Sequence, residues 1–227
     1  MDWAVLGCLS GASQDALCKL DRVAHTLRYQ AGATIFSEGQ SCAGFHVVLE
    51  GMVRIFRISP EGRIHTLSLL RPLATFNEIA AVDGLSNPYS AVAVTACQVV
   101  RVSHSQFWDV LASERSLLQS YMATLARVNR EYIERLEDMT FRTIPSRLAK
   151  LFLYETSYMG GIAGAPSSLT QEEMASILGT SREVVGRALR ALFNAGLLRK
   201  KGRQIFIADR EALERLAETN EMPYKTR

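Results

Sequence analysis

Between Ser105 and Ile144 the chain holds neither glycine nor proline, and this constrains the fold more than any other stretch. With no residue that frees φ or removes a backbone donor, so long a segment has nothing to interrupt a helix. Its apolar residues follow a heptad: Leu118, Leu125, Tyr132 and Met139 recur every seven positions, with Tyr121 and Val128 interleaved. The repeat then breaks, since Arg135 takes the next interleaved place and Leu136 takes over. Arg127/Glu131, Arg130/Glu134 and Glu131/Arg135 pairs flank the seam. The spacing predicts a long helix that packs against a copy of itself; the alternative is a helix lying on its own domain's core. Thr143 and Pro145 then read as an N-cap and a first-turn proline. One helix therefore ends near Arg142 and another begins at once, and the junction from Phe141 to Pro145 is the expected hinge between domains.

Upstream the pattern is different. Residues near Ala12 to Leu27 show loose helical periodicity at Ala16, Leu17, Leu20, Val23 and Leu27, enough for one or two short helices. From there to Val102 short apolar or alternating runs follow: Thr34-Ile35-Phe36, Phe45 to Leu49, Met52 to Ile58, Ile64 to Leu70, Ala91 to Val94 and Gln98 to Val102. Gly32, Glu38-Gly39, Glu50-Gly51, Ser59-Pro60-Glu61-Gly62 and Asn87-Pro88 separate them, which is the spacing of an antiparallel barrel or sandwich. The fold class expected is α+β, divided into residues 1–112, a helix over 113–142 and a C-terminal domain over 143–227.

Downstream, a helix through Leu148, Leu151, Phe152 and Tyr154 stops at Gly160-Gly161, and a loop runs to Ser168. Thr170-Gln171-Glu172-Glu173 is a capping box, in which hydroxyl and carboxylate each satisfy a free backbone N–H. It opens a short helix ending at Gly179. Small Ala175 lets a second helix cross closely, Gly179 permits a left-handed turn, and Val185 packs back between the two. With Met174, Leu178 and Ala188 this is a helix-turn-helix with every structural position filled. The second helix starts at the natural cap Ser181 and exposes Arg182, Glu183, Gly186 and Arg187. Arginine can donate two parallel hydrogen bonds to guanine O6 and N7, and glutamate can accept from cytosine N4. A glutamate set among arginines opposes phosphate, so the pattern favours base reading over charge attraction alone. Arg199-Lys200-Lys201-Gly202-Arg203 and the alternating Gln204-Ile205-Phe206-Ile207 read as a β-hairpin wing with a basic tip.

Charge agrees. The whole chain carries only +3, yet residues 182–203 hold seven basic side chains and one acidic, the local patch that phosphate attraction needs. With 227 residues, 48% hydrophobic and 22% charged, the composition is that of a globular protein large enough for two modest cores. There is no apolar run of about 18 residues to span a membrane. Met1-Asp2-Trp3 lacks a signal peptide's basic start, so a cytoplasmic location is expected. Cys8, Cys18, Cys42 and Cys97 are scattered singly, which supports neither a zinc knuckle nor a disulfide framework. Neither a Gly-rich phosphate loop, a metal-ligand cluster nor a nucleophile elbow is present, and an enzyme is not expected.

Together these motifs resemble the CRP/FNR family of bacterial transcription regulators over almost the whole chain. Gly32, Ile35, Glu38-Gly39, Leu49-Glu50-Gly51 and Glu61-Gly62 stand where that family's cyclic-nucleotide-binding-like β-roll turns. The long helix resembles its dimerisation helix, and the C-terminal part its winged helix-turn-helix. Ser181-Arg182-Glu183-Val184-Val185-Gly186-Arg187 matches the recognition motif of the cyclic-AMP receptor branch. The resemblance implies a homodimer on double-stranded DNA, with Arg182, Glu183 and Arg187 reading a TGTGA-like half-site twice in a palindrome. Thr170, Gln171, Ser181, Lys200, Lys201 and Arg203 would complete the DNA contacts. Activation through RNA polymerase is the family habit.

The sensor half departs from the same pattern. The family's cyclic-nucleotide sites use Gly-Glu-Leu and Arg-Ser/Thr-Ala segments, whose arginine pairs with the cyclic phosphate. Here the stretches are Asn77-Glu78-Ile79 and Tyr89-Ser90-Ala91. Losing that guanidinium removes a charge-assisted bidentate contact, on the order of several kcal/mol. The two polar residues that meet the purine on the long helix become Tyr132 and Ile133. Asn77, Glu78, Tyr89, Ser90, Tyr132 and Ile133 are thus the expected effector pocket, and cyclic AMP is not the expected effector. A hydrophobic ligand, haem or no ligand remain. Haem needs an axial donor, for which His25, His46, His65, His104 and Cys97 are candidates by residue type alone. The FNR branch's iron–sulfur cluster needs closely spaced N-terminal cysteines, which Cys8 and Cys18 do not supply.

Overall fold

The computed structural model describes residues 1–154, 169–202 and 204–222. The chain divides into two compact units, residues 1–57 with 69–133, and residues 58–68 with 134–227.

In the first unit, helix α1 (Gln14–Val23) starts where the Ser13 hydroxyl accepts from Ala16 N–H. The periodicity expected to carry this helix to Leu27 ends sooner. Leu27 lies in β1 (His25–Tyr29), antiparallel to β8 (Cys97–Val102). Strand preference depends on the neighbour a segment packs against, and that neighbour is some seventy residues away. The remaining strands are β2 (Thr34–Phe36), β3 (Phe45–Glu50), β4 (Val53–Ile58), β5 (Ile64–Leu70), β6 (Thr75–Phe76) and β7 (Ser90–Ala93). They form two four-stranded sheets, ordered β1-β8-β3-β6 and β2-β7-β4-β5. Strand β6 and the short helix α2 (Glu78–Asp83) were not among the expected elements; neither is long enough to show a period.

Strand β3 is buried on both faces, which explains its unbroken apolar run. Phe45 and Val47 face the helices: Phe45 stacks on Phe107 at 4.2 Å, and Phe107 meets Tyr121 edge-on at 5.4 Å. The alternate residue His46 lies against Phe36 and Phe76. The core on the helical side joins Trp3, Leu9, Leu20, Val100, Leu111 and Leu117 to these residues. Helix α3 (His104–Ser113) and the start of α4 (Arg115–Phe141) cover that side.

Helix α4 runs unbroken through the glycine- and proline-free stretch. Its apolar seam is shared differently from the expectation. Leu117 and Tyr121 are buried in the core of their own unit and Leu125 packs against it, so this part of the stripe follows the alternative reading. Met122, Ile133, Leu136 and Phe141 are exposed, Leu136 by 66% and Phe141 by 75%. With Ala126 and Asn129, also exposed, the outer positions 122, 126, 129, 133 and 136 keep a heptad of their own.

The second unit contains α5 (Ile144–Leu153), α6 (Gln171–Leu178), α7 (Arg182–Asn194), strands β9 (Leu198–Lys201) and β10 (Gln204–Ile207), and α8 (Arg210–Thr219). Thr143 caps α5 by accepting from Ser146 N–H, with Pro145 in the first turn. Tyr154 is the C-cap of α5; the Gly160-Gly161 stop and the loop to Ser168 lie outside the described residues. Leu148, Leu151, Met174, Val185, Leu189, Leu192, Leu213 and Leu216 are all buried. Residues 58–68 belong to this unit through Ser176 of α6, whose hydroxyl donates to Ile64 O at 3.0 Å and accepts from Thr66 N–H at 3.1 Å. No helix among the described residues is long and apolar enough to cross a membrane.

Candidate nucleic-acid interface

Two N-terminal caps position the reading surface. At the start of α6, Thr170 Oγ1 accepts from Glu173 N–H at 3.2 Å while Glu173 Oε2 accepts from Thr170 N–H at 2.7 Å, the reciprocal box expected there. Gly179 ends α6 at φ 62°, where a Cβ would be strained. Two residues later Ser181 opens α7, its hydroxyl accepting from Val184 N–H at 3.4 Å. Ala175 and Val185 are buried at the crossing of the two helices. Val185, Ala188, Leu189 and Leu192 bury the inner face of α7, while Arg182, Glu183, Arg187 and Arg190 on its outer face are exposed.

That outer face gathers Arg182, Glu183, Gly186 and Arg187, joined by Gln171 from α6 and Arg190 one turn further along, around an open groove of about 480 Å³. The Gln171 amide lies over Gly186: a Cβ there would stand 3.3 Å from Gln171 Oε1. Glycine at this point lets a side chain of the first helix share the groove with the second. Its own backbone N–H, the Ser181 hydroxyl and the Arg182 and Arg187 guanidinium groups surround the Glu183 carboxylate. These hold it below the ordinary glutamate range, so it is an acceptor at neutral pH. Arg190 was missed from sequence; extending the exposed face 182, 183, 186, 187 by one turn would have found it.

Strands β9 and β10 pair antiparallel with Gln204 opposite Lys201, and Leu198 and Ile205 turn inward. Lys200 and Lys201 are exposed, and the Arg199 guanidinium sits 5.4 Å from the Phe206 ring centre. Arg203 lies outside the described residues. Thr170, Gln171, Ser181, Arg182, Glu183, Arg187, Lys200 and Lys201 are all exposed in one unit.

All six expected effector-pocket residues lie in the first unit, four of them on the segments 77–78 and 89–90 and two on α4. Asn77 is fully buried, with left-handed backbone at φ 63°. Its amide donates to Gly44 O and to Asn87 Oδ1, both at 3.0 Å. Its backbone N–H donates to the Tyr89 hydroxyl at 2.6 Å. Burial holds that hydroxyl's pKa well above 10, with Glu78 and Tyr132 pushing the same way, so it stays protonated. Glu78 accepts from Thr75 Oγ1 at 2.5 Å, and burial raises its carboxyl above the usual range. Ser90 Oγ accepts from Glu38 N–H at 3.0 Å. Tyr132 and Ile133 are on the α4 surface, 42% and 51% exposed. Tyr89, expected to take the place of a phosphate-binding arginine, therefore accepts from the Asn77 backbone and brings no positive charge. Gly44 and Asn87 complete this network; the sequence marks Asn87 only as a turn before Pro88 and assigns Gly44 no role.

Three of the haem-donor candidates, His46, His65 and His104, each hold Nδ1 against a backbone carbonyl, and His25 is exposed. His46 is 1% exposed between Phe36 and Phe76, with Nδ1 2.9 Å from Gly44 O. His104 Nδ1 lies 2.9 Å from Ala81 O, and its Nε2 would stand 2.8 Å from a Cβ on Gly84. His65 Nδ1 is 2.9 Å from Ser176 O. His25 sits in β1, and Cys97 is buried with its thiol pKa raised by that burial. Among the described residues, no three His, Cys, Asp or Glu side chains converge as a metal site.

Known families match both halves: a cyclic nucleotide-binding domain over residues 26–114 and a Crp-like helix-turn-helix domain over residues 146–216. A β-roll of the first kind joined to a helix-turn-helix with a free, charged reading face defines a DNA-binding transcription regulator. The chain is 29% identical over 215 residues to the CRP-like cAMP-activated global transcriptional regulator of Mycobacterium tuberculosis, covering 93% of this chain and 96% of that one. Accordingly, it belongs to the CRP/FNR family. It is also 29% identical over 189 residues to the cyclic AMP receptor protein of Thermus thermophilus, covering 83% and 86%. The solved structure of a CRP/FNR-family transcriptional regulator, also from Thermus thermophilus, matches with a TM-score of 0.69 at 26% identity, covering 87% of this chain and all of that one. These relatives are regulators and not enzymes.

Proposed function

We propose that the protein is a cytoplasmic homodimer that reads a TGTGA-like half-site twice in a palindrome, with a sensor β-roll over 1–112, a dimerisation helix over 113–142 and a DNA-binding domain over 143–227. The observation that carries this is the free outer face of α7, where Arg182, Glu183 and Arg187 line one groove with Gln171. Arg182 and Arg187 donate to guanine edges and Glu183 accepts from cytosine. Thr170, Ser181, Lys200, Lys201 and Arg203 hold the phosphate backbone, which sets register but carries no sequence. The exposed heptad of α4 supports the dimer, since a two-fold protein on a palindrome needs half-sites one helical turn apart, about 34 Å. RNA polymerase is the further partner by family habit.

Asn77, Glu78, Tyr89, Ser90, Tyr132 and Ile133 form the effector pocket in this reading, and its occupant is not cyclic AMP. Two of the relatives above are named for cyclic AMP, but here the phosphate's cation is replaced by a neutral hydroxyl bonded to Asn77 N–H. That closed bond also favours a second reading, a regulator that needs no effector. Selection of bound DNA from a random pool, with and without cell extract and with cyclic AMP as a third arm, tests all three points. Paired TGTGA-like half-sites are expected, unchanged by cyclic AMP. Enrichment of unrelated or single sites would overturn the dimer on a palindrome, and tighter binding with cyclic AMP would overturn the pocket assignment. Enrichment that depends on extract would favour an effector over the effector-free reading.

A further inference from the structure

The junction between α4 and α5 consists of Arg142 and Thr143, and each carries two backbone torsions that could swing one helix against the other. The C-terminal end of α8 is stitched across it. Asn220 ends α8 in left-handed backbone, φ 65°, with its N–H bonded to Leu216 O. Its side chain then reaches both sides of the gap. The amide N–H donates to Phe141 O at 3.0 Å, the last residue of α4, and the amide oxygen accepts from Thr143 N–H at 3.1 Å, the cap of α5. Arg142, between them, donates from Nε to Asp138 at 2.6 Å and from Nη1 to Ala217 O and Glu218 O, the final carbonyls of α8. A guanidinium is favoured there, where a helix presents unpaired carbonyls and the negative end of its dipole. Lys150 of α5 adds a second cation to Asp138 at 2.5 Å, and buried Ser146 donates to Ala217 O at 3.3 Å.

We propose that Asn220 and Arg142 are positioning residues for DNA binding: they clasp the α4–α5 junction to the C-terminus of α8 and so fix the direction in which the last turns of α4 enter the DNA-binding unit. In the dimer that direction sets the distance between the two reading helices. The inference rests on the paired-site reading above and deepens it. Neither residue touches the reading face, so their loss leaves the chemistry of one half-site intact and changes only the tolerance for spacing. The junction expected to be the hinge is thus tied on both sides.

The test uses the full chain and duplexes carrying two selected half-sites whose centres are moved apart one base pair at a time, plus a duplex with a single half-site. Asn220→Gly keeps the left-handed backbone and removes both side-chain bonds; two such bonds are worth about tenfold in an equilibrium. Wild type should favour its best spacing over the next by about tenfold, Asn220→Gly by about twofold, with single-site affinity unchanged in both. Arg142→Gln, checked for folding by thermal melting, should broaden the profile in the same sense and serves if Asn220→Gly does not fold. A variant that keeps the wild-type spacing profile, or that loses single-site affinity in step with paired-site affinity, overturns the clasp. A wild type with no spacing preference overturns the paired-site reading and the clasp together.

Discussion

At the scale of single residues, the proposed base reading and backbone holding make different predictions. Arg182→Ala should cost about 1–3 kcal/mol on the preferred site and relax discrimination at one base pair. Lys201→Ala should weaken binding to all sequences alike and lower the salt slope by about one. Equal losses on specific and random DNA for Arg182→Ala would count against base reading. His46 makes a different prediction. Burial drives its pKa from 6.5 to about 4, opposed only in part by its bond to Gly44 O. The unfolded chain therefore takes up a proton before the folded one does. The stability this residue contributes is fully present above pH 6.5 and is lost as pH falls toward 4, about 3 kcal/mol in all. Urea midpoints of wild type should drop across that window more steeply than those of His46→Gln, and parallel curves would refute it.

At the scale of elements, α4 buries some of its apolar residues in its own unit and exposes others, which the proposed function gives to a partner helix, and mutations should separate the two sets. Tyr121 is buried in its own unit with its hydroxyl unpartnered among the described residues. An unpaired buried hydroxyl costs free energy, so Tyr121→Phe should raise stability by about 1 kcal/mol, read by equilibrium unfolding in urea. Leu136→Glu should leave folding intact and produce monomers in sedimentation, because it places a charge on the exposed heptad where a partner helix would desolvate it. If Leu136→Glu stays dimeric, the seam lies elsewhere on the helix. A heptad written on the chain could not assign these tasks, because burial by an intramolecular partner and by a second copy demand the same residue types. The same holds at β1, where Leu27 fitted a helical period and became a strand because β8 offered it an edge.

At the scale of the whole molecule, the proposed function joins a Crp-like helix-turn-helix to a cyclic nucleotide-binding domain in which Tyr89 would take the place of a phosphate-binding arginine. Cyclic AMP at millimolar concentration should therefore leave the melting temperature unchanged, since a ligand stabilises only by binding the folded state. A rise in melting temperature would show that the pocket takes the nucleotide without its guanidinium. The helix-turn-helix was fully legible in the chain because its determinants are local: Thr170 with Glu173, Gly179 at positive φ and the cap Ser181 each act within a few residues. The class of the protein, the position of α4 and most strands were legible for the same reason, since period and punctuation are properties of neighbouring residues. Only the tertiary structure brought Tyr89 to Asn77 N–H, laid Gln171 over Gly186, buried Tyr121 while leaving Leu136 outside, and carried Asn220 back to Phe141 and Thr143. Those pairings join residues from 12 to 79 positions apart, and no short-range pattern encodes which distant backbone group a side chain will satisfy.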